Sequence, residues 1–148
     1  MNMAPLEISL ELTDQKVGFR SISKTNPDTP VMIDYSPPLG DGQGFLGLEL
    51  LVMSFAGCVS TGIVAILRRM GKSIAGYRMS AAGIRRENPL SLEKIRFEVM
   101  LEAAGVSEEE LQNAVRKAEE ISPVWLAVKN NVEVEWQCKV TAAPERLG

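Results

Sequence analysis

The sequence contains no histidine, and this absence excludes the commonest kinds of side-chain catalysis. Ser-His-Asp and Cys-His mechanisms both depend on an imidazole, so neither is available to this chain. A zinc or iron site is disfavoured as well, because two cysteines and the carboxylates would have to supply every ligand. We therefore expect no metal ion and no cofactor.

The chain is also poor in cysteine and carries little net charge. Two cysteines are too few for a disulfide framework, and the sequence starts without a signal peptide, which predicts reduced thiols in the cytoplasm. A net charge of −3 gives no reason to expect nucleic acid or an anionic membrane as a partner. The length of 148 residues predicts a single domain over residues 1–148.

The N-terminal third of the sequence predicts three strands and a long loop. Residues 6–12 alternate strictly between apolar and polar, which is typical of a half-buried strand. A turn at Asp14-Gln15 leads to a second strand over 17–23, and residues 31–35 form a short third strand. Residues 36–44 are rich in proline and glycine, which excludes regular structure. Loops of this length often border functional sites.

One long apolar segment dominates the middle of the sequence. Residues 46–70 are apolar on nearly every face of a helix, and Gly71 follows as a residue suited to end it. The segment also contains Glu49 and several small or polar residues, which argues against a membrane span. We therefore predict a buried central helix that other elements wrap.

The C-terminal half predicts two strands, two helices and a final strand. Ser107 and Glu110 form a capping box that opens the first of these helices, while Ser122 is the natural N-cap and Pro123 the first residue of the second. The predicted ranges are 77–86, 94–102, 107–121, 123–129 and 132–140. The resulting order, βββ-α-ββ-αα-β, indicates an α+β domain around one central helix.

Cys58 is the main candidate for chemistry, and two interpretations of it remain open. It lies in the long apolar helix, where a thiol without a neighbouring charge would be an inert packing residue. Activation would need a cation that the fold or a second subunit brings close. The candidates for that cation are Lys16, Arg20, Arg85 and Arg86.

Cys138 and Glu49 also have alternative interpretations. The alternation of the last strand places Cys138 on its inward face, as a small hydrophobe or, alternatively, as a redox partner of Cys58. Glu49 is either an acid in the first turn that favours the helix dipole or a buried acid that orients an arginine. Nine residues separate Glu49 from Cys58, so a regular helix would place them on opposite sides, about 180° apart.

Several short motifs, in this order and spacing, resemble the OsmC/Ohr superfamily of osmotically induced and organic hydroperoxide resistance proteins. The resemblance extends from about Leu6 to Val140. The motifs lie before the cysteine, at the exit from the central helix, and where the family carries a Cys-Pro-Val motif. They are Gly47-Leu48-Glu49-Leu50-Leu51 with Ala56-Gly57-Cys58, then Gly71-Lys72 with Ala75-Gly76-Tyr77, and Glu119-Glu120-Ile121-Ser122-Pro123-Val124.

The resemblance implies an OsmC-like fold and an intertwined homodimer, with the two central helices buried against the partner. It also implies reduction of organic hydroperoxides by two cysteines. The first attacks the peroxide and becomes a sulfenic acid, and the second condenses with it to a disulfide that an external dithiol reduces. In the family an arginine and a glutamate hold the first cysteine as thiolate. Cys58 matches that cysteine, and Glu49 and Arg20 are the candidates for the activating pair.

The sequence departs from the family at three of these positions. Ser122 stands at the position of the resolving cysteine and cannot form a disulfide. The acid of the best-studied peroxidases would fall on Leu48, one residue before Glu49. No arginine falls in the turn between the first strands, since Lys16 is near that turn and Arg20 lies within the second strand.

Three functional hypotheses follow from the sequence. The first is a one-cysteine peroxidase, in which an external thiol reductant or Cys138 resolves the sulfenic acid of Cys58. The second is a redox-inactive OsmC-like dimer that binds a small apolar ligand, with Cys58 as packing. The third is a different thiol chemistry, directed at another small electrophile.

Overall fold

The computed structural model describes residues 3–142, and these form a mixed α+β structure. In chain order the elements are β1 (Ile8–Leu12), β2 (Phe19–Ser23), β3 (Asn26–Ile33), α1 (Gly47–Arg69), β4 (Gly76–Arg86), β5 (Ser91–Glu102), α2 (Glu108–Ile121), α3 (Pro123–Val128) and β6 (Glu133–Thr141). This order confirms the predicted βββ-α-ββ-αα-β arrangement. The chain divides into two compact units between Leu50 and Leu51, and the single domain over 1–148 stays a prediction.

The first unit contains an antiparallel sheet in the order β1-β2-β3. Strand β3 begins at Asn26, earlier than predicted, although Pro27 and Pro30 lie within it. Prolines are tolerated there because β3 is an edge strand and neither proline is among its residues that pair with β2. The prediction that β1 is half-buried was wrong, since all five of its residues are exposed. Alternation reports that one face is apolar, but not that the same chain covers it.

Asp34 organises the loop that follows β3. Its carboxylate is only 4% exposed and accepts hydrogen bonds from three backbone N–H groups. Tyr35 donates to Oδ1 at 2.7 Å, while Asp41 and Gln43 donate to Oδ2 at 3.2 and 3.0 Å. These donors, that of Gln43 first, hold the pKa of the Asp34 carboxyl below its ordinary value. Lys16 adds an ion pair to Asp41 at 2.6 Å, so the loop is tied to the turn after β1.

Asp34 should make stability depend on pH on the acid side. Because its pKa is lower in the folded state, it stabilises the fold above the unfolded value of about 3.9. That stabilisation is lost as the pH falls through the folded value. In urea titrations, Asp34→Asn should lower the unfolding midpoint at neutral pH, and its deficit relative to the wild type should shrink below about pH 4.

The exposed Asp28 of β3 provides the matched control for that titration. Asp28→Asn should leave both the midpoint and its pH dependence close to those of the wild type. Comparing variants at each pH matters, because the pKa values of Glu110 and Glu135 are lowered too and contribute to the acid limb of every curve. A deficit of Asp34→Asn that is constant over pH would contradict this role of the carboxylate.

Helix α1 ends as predicted but is covered on one side only. Gly71 has a φ of 79° and donates its N–H to the Arg68 carbonyl, while Lys72 donates to Leu67, which is a Schellman ending. The buried stripe consists of Phe55, Val59, Ile63 and Leu67. Only 22% of the most apolar 18-residue window of α1 is buried, so the expectation that other elements wrap the helix was wrong for residues 3–142. By length and composition α1 would also be able to cross a membrane.

The second unit is built on a sheet in the order β4-β5-β6, with β4 and β5 antiparallel and β5 and β6 parallel. The predicted inner face of β5 is buried, and so is the predicted stripe of α2. Ser107 and Glu110 form the predicted capping box, with both of its hydrogen bonds at 3.1 Å. The buried residues of these two elements are Ile95, Phe97, Val99 and Leu101 on β5, and Leu111, Ala114, Val115 and Ala118 on α2.

Four aromatic rings form the centre of this unit. Phe55 of α1 lies 6.0 Å from Phe97 of β5 and 5.4 Å from Trp125 of α3, measured between ring centroids. Phe97 meets Trp125 edge to face at 5.7 Å and stacks on Trp136 of β6 at 6.2 Å. Offset stacking and edge-to-face contact are the favourable arrangements of aromatic pairs. The cluster therefore joins α1, α3 and the sheet through one set of side chains.

Candidate functional site

Cys58 lies in α1 at the margin of the buried stripe. It is a free thiol of intermediate exposure and directly precedes Val59, a residue of the buried stripe. Four residues after it, Gly62 occupies nearly the same side of the helix, offset by about 40° and about 6 Å along the axis. The surroundings of Gly62 therefore describe one flank of the Cys58 side chain.

The end of α2 and the residue that follows it approach α1 at Gly62. A Cβ added at Gly62 would lie 3.2 Å from the Ser122 Oγ and 3.5 Å from the Ala118 Cβ. The absence of a side chain at Gly62 thus leaves room for the Ser122 hydroxyl. The structure places Ser122 beside the helical face that carries Cys58, about one turn away.

The Ser122 hydroxyl is buried and has no hydrogen-bond partner. Ser122 is 2% exposed, and its Oγ is the one unpartnered buried side-chain oxygen or nitrogen among residues 3–142. It occupies the N-cap position of α3, as predicted, but its side chain makes no capping hydrogen bond. The position of the N-cap is therefore confirmed, but the expected capping hydrogen bond is not made. The Ser122 hydroxyl lies against Gly62 of α1 and not at the start of α3.

Glu49 and Arg20 belong to the first unit. Glu49 is exposed, and its Oε1 accepts a hydrogen bond from the Leu46 backbone N–H at 3.0 Å. This contact favours the interpretation of Glu49 as an acid that stabilises the first turn of α1. Arg20 is half-buried on β2, where it pairs in register with Glu11 of β1 and Met32 of β3. Their predicted roles toward a thiolate stay predictions.

Two of the other candidate cations are held in ion pairs. The Lys16 Nζ lies 2.6 Å from Asp41, whose hydrogen bond and charge raise the lysine pKa. The Arg86 guanidinium lies 3.6 Å from the Glu93 carboxylate. Both pairs are exposed, so they contribute little to stability, but they give these cations a carboxylate partner within their own unit.

Cys138 lies on β6, opposite Val99 of β5 and on the same face as Trp136. It is half-buried, and burial, with a smaller contribution from Glu108, raises the pKa of its thiol, while Arg116 lowers it. A raised pKa keeps the thiol protonated and unreactive at neutral pH. Cys138 therefore has the environment of a packing residue, and its role as alternative resolver stays a prediction.

A hydrogen-bonded chain on the opposite flank of α1 was not predicted from the sequence. The Tyr77 hydroxyl of β4 donates to the Ser60 Oγ at 2.8 Å, and Ser60 donates to the Met79 sulfur at 3.7 Å. Burial raises the pKa of Tyr77, so the phenol stays neutral. The only signal in the sequence was that Tyr77 and Met79, two residues apart, lie on the same face of the predicted strand. These two hydrogen bonds hold α1 against the sheet and give the Ser60 hydroxyl both a donor and an acceptor partner.

The outward face of α1 is an open apolar groove of about 470 Å³. Small and apolar side chains form most of it, with Arg68 at one end. The lining residues are Gly57, Ser60, Thr61, Val64, Ala65 and Arg68. Within residues 3–142, no group of three or more His, Cys, Asp or Glu side chains could hold a metal ion. Helix α1 thus carries the Cys58 thiol, with the free Ser122 hydroxyl about one turn away, and a separate apolar groove whose lining does not include Cys58.

Comparison with known proteins identifies relatives of this chain. A family model described as "OsmC-like protein" matches residues 40–137. No curated protein sequence matches. Three solved structures of similar fold are each less than 25% identical in sequence. A hypothetical protein from Aquifex aeolicus VF5 is 23% identical with a TM-score of 0.80, and 95% of this chain and 98% of that chain are covered.

The two other structures carry names that describe the family. An OsmC-like protein from Mycoplasma pneumoniae is 17% identical with a TM-score of 0.79, covering 93% of this chain and 98% of that chain. An organic hydroperoxide resistance protein OsmC from Legionella pneumophila is 16% identical with a TM-score of 0.72, covering 95% of this chain and 100% of that chain. At these identities the comparisons establish the shared fold.

Proposed function

The chain belongs to the OsmC-like protein family, and from this we propose that it reduces organic hydroperoxides with the single thiol of Cys58. The observation that carries the proposal is the position of Ser122, buried beside the face of α1 that holds Cys58. The family resemblance assigns that position to a resolving cysteine. A hydroxyl there leaves the attacking thiol in place and removes the family's own internal disulfide, so another thiol, external or that of Cys138, must complete the cycle.

The proposed reaction balances with two equivalents of a small external thiol. The Cys58 thiolate attacks the terminal oxygen of the hydroperoxide, the O–O bond breaks, and the alcohol leaves after taking up a proton. Cys58 is then a sulfenic acid. One external thiol displaces water from it to form a mixed disulfide, and a second releases Cys58 and the external disulfide. Glu49 and Arg20 are proposed as the groups that favour the thiolate, on the resemblance alone.

Alkylation measured against pH tests whether Cys58 is activated. An activated Cys58 should react with iodoacetamide at neutral pH at least about tenfold faster than free cysteine under the same conditions, and Cys138, whose pKa is raised, should react more slowly than free cysteine. One equivalent of cumene hydroperoxide should protect Cys58 from alkylation, and peptide mass spectrometry assigns the label to each cysteine. Steady-state consumption of the hydroperoxide with dithiothreitol should disappear in Cys58→Ser.

Two outcomes would contradict the one-cysteine peroxidase. Equal alkylation rates for both cysteines, with no protection by peroxide, would remove the activated thiol. Persistence of peroxide consumption in Cys58→Ser would assign the activity to another group. Loss of turnover in Cys138→Ser would make Cys138 the resolver, whereas full turnover in that variant would assign resolution to the external thiol.

A second candidate function is a redox-inactive dimer that binds a small apolar ligand. The apolar groove on the outward face of α1 favours it, because exposed apolar surface of this kind commonly binds a ligand or a partner. The same experiments separate the two candidates, since a redox-inactive Cys58 would gain no protection from the hydroperoxide and would not consume it with dithiothreitol.

We also propose that a second copy of the chain covers the outward face of α1 in a homodimer. Most of the apolar window of this helix is uncovered in the single chain, and its small residues would let another helix approach closely. The proposed partners are thus a second copy, a small hydroperoxide and an external thiol reductant. The proposed location is the cytoplasm, whose thiol pools would supply that reductant.

A further inference from the structure

We infer that Ser122 is a catalytic residue whose hydroxyl donates a hydrogen bond to the oxygen of oxidised Cys58. It would hold the sulfenate until an external thiol arrives, so the inference rests on the proposed peroxidase function and specifies how its intermediate is kept. No other buried side-chain oxygen or nitrogen within residues 3–142 lacks a partner.

The first support is the unused hydrogen-bonding capacity of Ser122. Leaving a buried hydroxyl unpaired is unfavourable, and nearly all such groups in proteins are paired. Ser122 is 2% exposed, does not cap α3, and has no acceptor for its proton. An acceptor that exists only during the reaction would explain why the hydroxyl is free in the reduced protein.

The second support is the space beside Cys58. Gly62 provides no side chain to separate the Ser122 hydroxyl from this flank of α1, and its added Cβ would lie 3.2 Å from the Oγ. Gly62 follows Cys58 by one helical turn. An oxygen added to the Cys58 sulfur would enlarge that side chain on the flank where the hydroxyl lies.

The third support is the difference between the reduced and the oxidised sulfur as acceptors. A thiol is a weak acceptor, whereas an anionic oxygen accepts strong charge-assisted hydrogen bonds. The reduced Cys58 sulfur is therefore a poor acceptor for the Ser122 hydroxyl, and the sulfenate oxygen is a good one. A donated hydrogen bond also withdraws charge from the sulfenate, which makes it a weaker nucleophile toward a second peroxide. Over-oxidation to sulfinic acid should be slowed as a result.

The lifetime of the sulfenic acid tests this inference directly. Each protein is oxidised with cumene hydroperoxide in excess, the peroxide is removed, and dimedone is added after increasing delays. Peptide mass spectrometry then measures the adduct at Cys58 and separates it from Cys138. In Ser122→Ala the lifetime should fall by about tenfold or more, the size expected for a hydrogen bond to a charged group. The sulfinic acid formed per equivalent of peroxide should rise.

Two further variants separate chemistry from packing. Ser122→Thr keeps a hydroxyl and should retain most of the lifetime. Ser91→Ala removes a hydroxyl at the start of β5, where it donates to the Pro89 carbonyl at 3.1 Å, and should leave the lifetime unchanged. Equal lifetimes in the wild type and Ser122→Ala would overturn the inference. So would a shortening of the same size in Ser91→Ala.

Ser122→Cys tests whether position 122 reaches the oxidised sulfur at all. After one equivalent of peroxide, a disulfide between the introduced thiol and Cys58 should form. Its formation would show that the two Cα atoms come within about 7 Å of each other, the separation that a disulfide needs. Non-reducing peptide mapping identifies it. If this variant forms no disulfide, Ser122 does not reach Cys58 and the inference fails.

The results also distinguish this inference from the proposed function. In one case the wild type does not consume hydroperoxide with dithiothreitol, while its sulfenic acid, formed by forced oxidation, outlives that of Ser122→Ala. This result would contradict the peroxidase function and support the role of Ser122. A wild type that turns over, with the same sulfenic acid lifetime as Ser122→Ala, would do the reverse. Failure to trap any sulfenic acid in the wild type after excess peroxide would overturn the inference as well.

Discussion

Replacing Phe55 by alanine should lower the free energy of unfolding by about 3–5 kcal/mol. The ring is fully buried and meets Phe97 and Trp125 at 6.0 and 5.4 Å, so its removal leaves a cavity between α1, α3 and the sheet. The loss is large because the transfer energy of the ring, the cavity and the aromatic contacts all contribute. Urea unfolding followed by tryptophan fluorescence at fixed protein concentration measures it, with Trp125 as a probe inside the cluster.

Leu90→Ala is the control for this measurement. Leu90 lies in the turn between β4 and β5 and is 49% exposed, so its truncation should change the free energy of unfolding by no more than about 0.5 kcal/mol. A loss of less than about 1 kcal/mol in Phe55→Ala would mean that the cluster is not the centre of the core. The slope of the free energy of unfolding against urea concentration (the m value) should be the same in both variants.

The second large effect is expected at the outward face of α1, where Ala65→Glu should convert the protein to a monomer. Ala65 is exposed in the single chain and lines the apolar groove. In the proposed dimer the added carboxylate would be removed from water at the helix contact, and its desolvation costs more than an ion pair with Arg68 at the end of the groove would return. Sedimentation equilibrium should give twice the chain mass of 16.2 kDa for the wild type and the single-chain mass for the variant.

Ala104→Glu is the matched control, because Ala104 is exposed in the loop between β5 and α2. The same substitution there should leave the mass unchanged. A wild type that sediments as a monomer would contradict the proposed dimer, and a dimeric Ala65→Glu would place the interface elsewhere. Cys58 alkylation in both variants would then report whether the reactivity of the thiol needs the second copy.

Local sequence patterns were sufficient to predict the order of the elements. The capping box of Ser107 and Glu110, the alternation along β5 and the proline that starts α3 are each determined by residues within one turn or one strand. Such features form wherever the chain goes, so a sequence without relatives would have revealed them. The family match over residues 40–137 then confirmed the fold that the motifs suggested.

Features that depend on distant residues were not predictable in the same way. The N-cap pattern assigned the Ser122 hydroxyl to α3, but the space left by Gly62, 60 positions earlier, turned it toward α1. Asp34 was missed because its donors come from a loop whose path the sequence does not determine. The pattern of α1 showed that the helix is apolar, but not whether its own chain covers it.

The parallel pairing of β5 and β6 has a consequence for the order in which the protein folds. Parallel neighbours cannot be joined by a tight turn, so the chain must return along the sheet, and α2 and α3 form that return. Strand β6 therefore pairs only after both helices have been synthesised, and these non-local contacts slow folding. Ser122 lies at the junction of α2 and α3, so we expect it to reach its place beside α1 late, when the last strand closes the sheet.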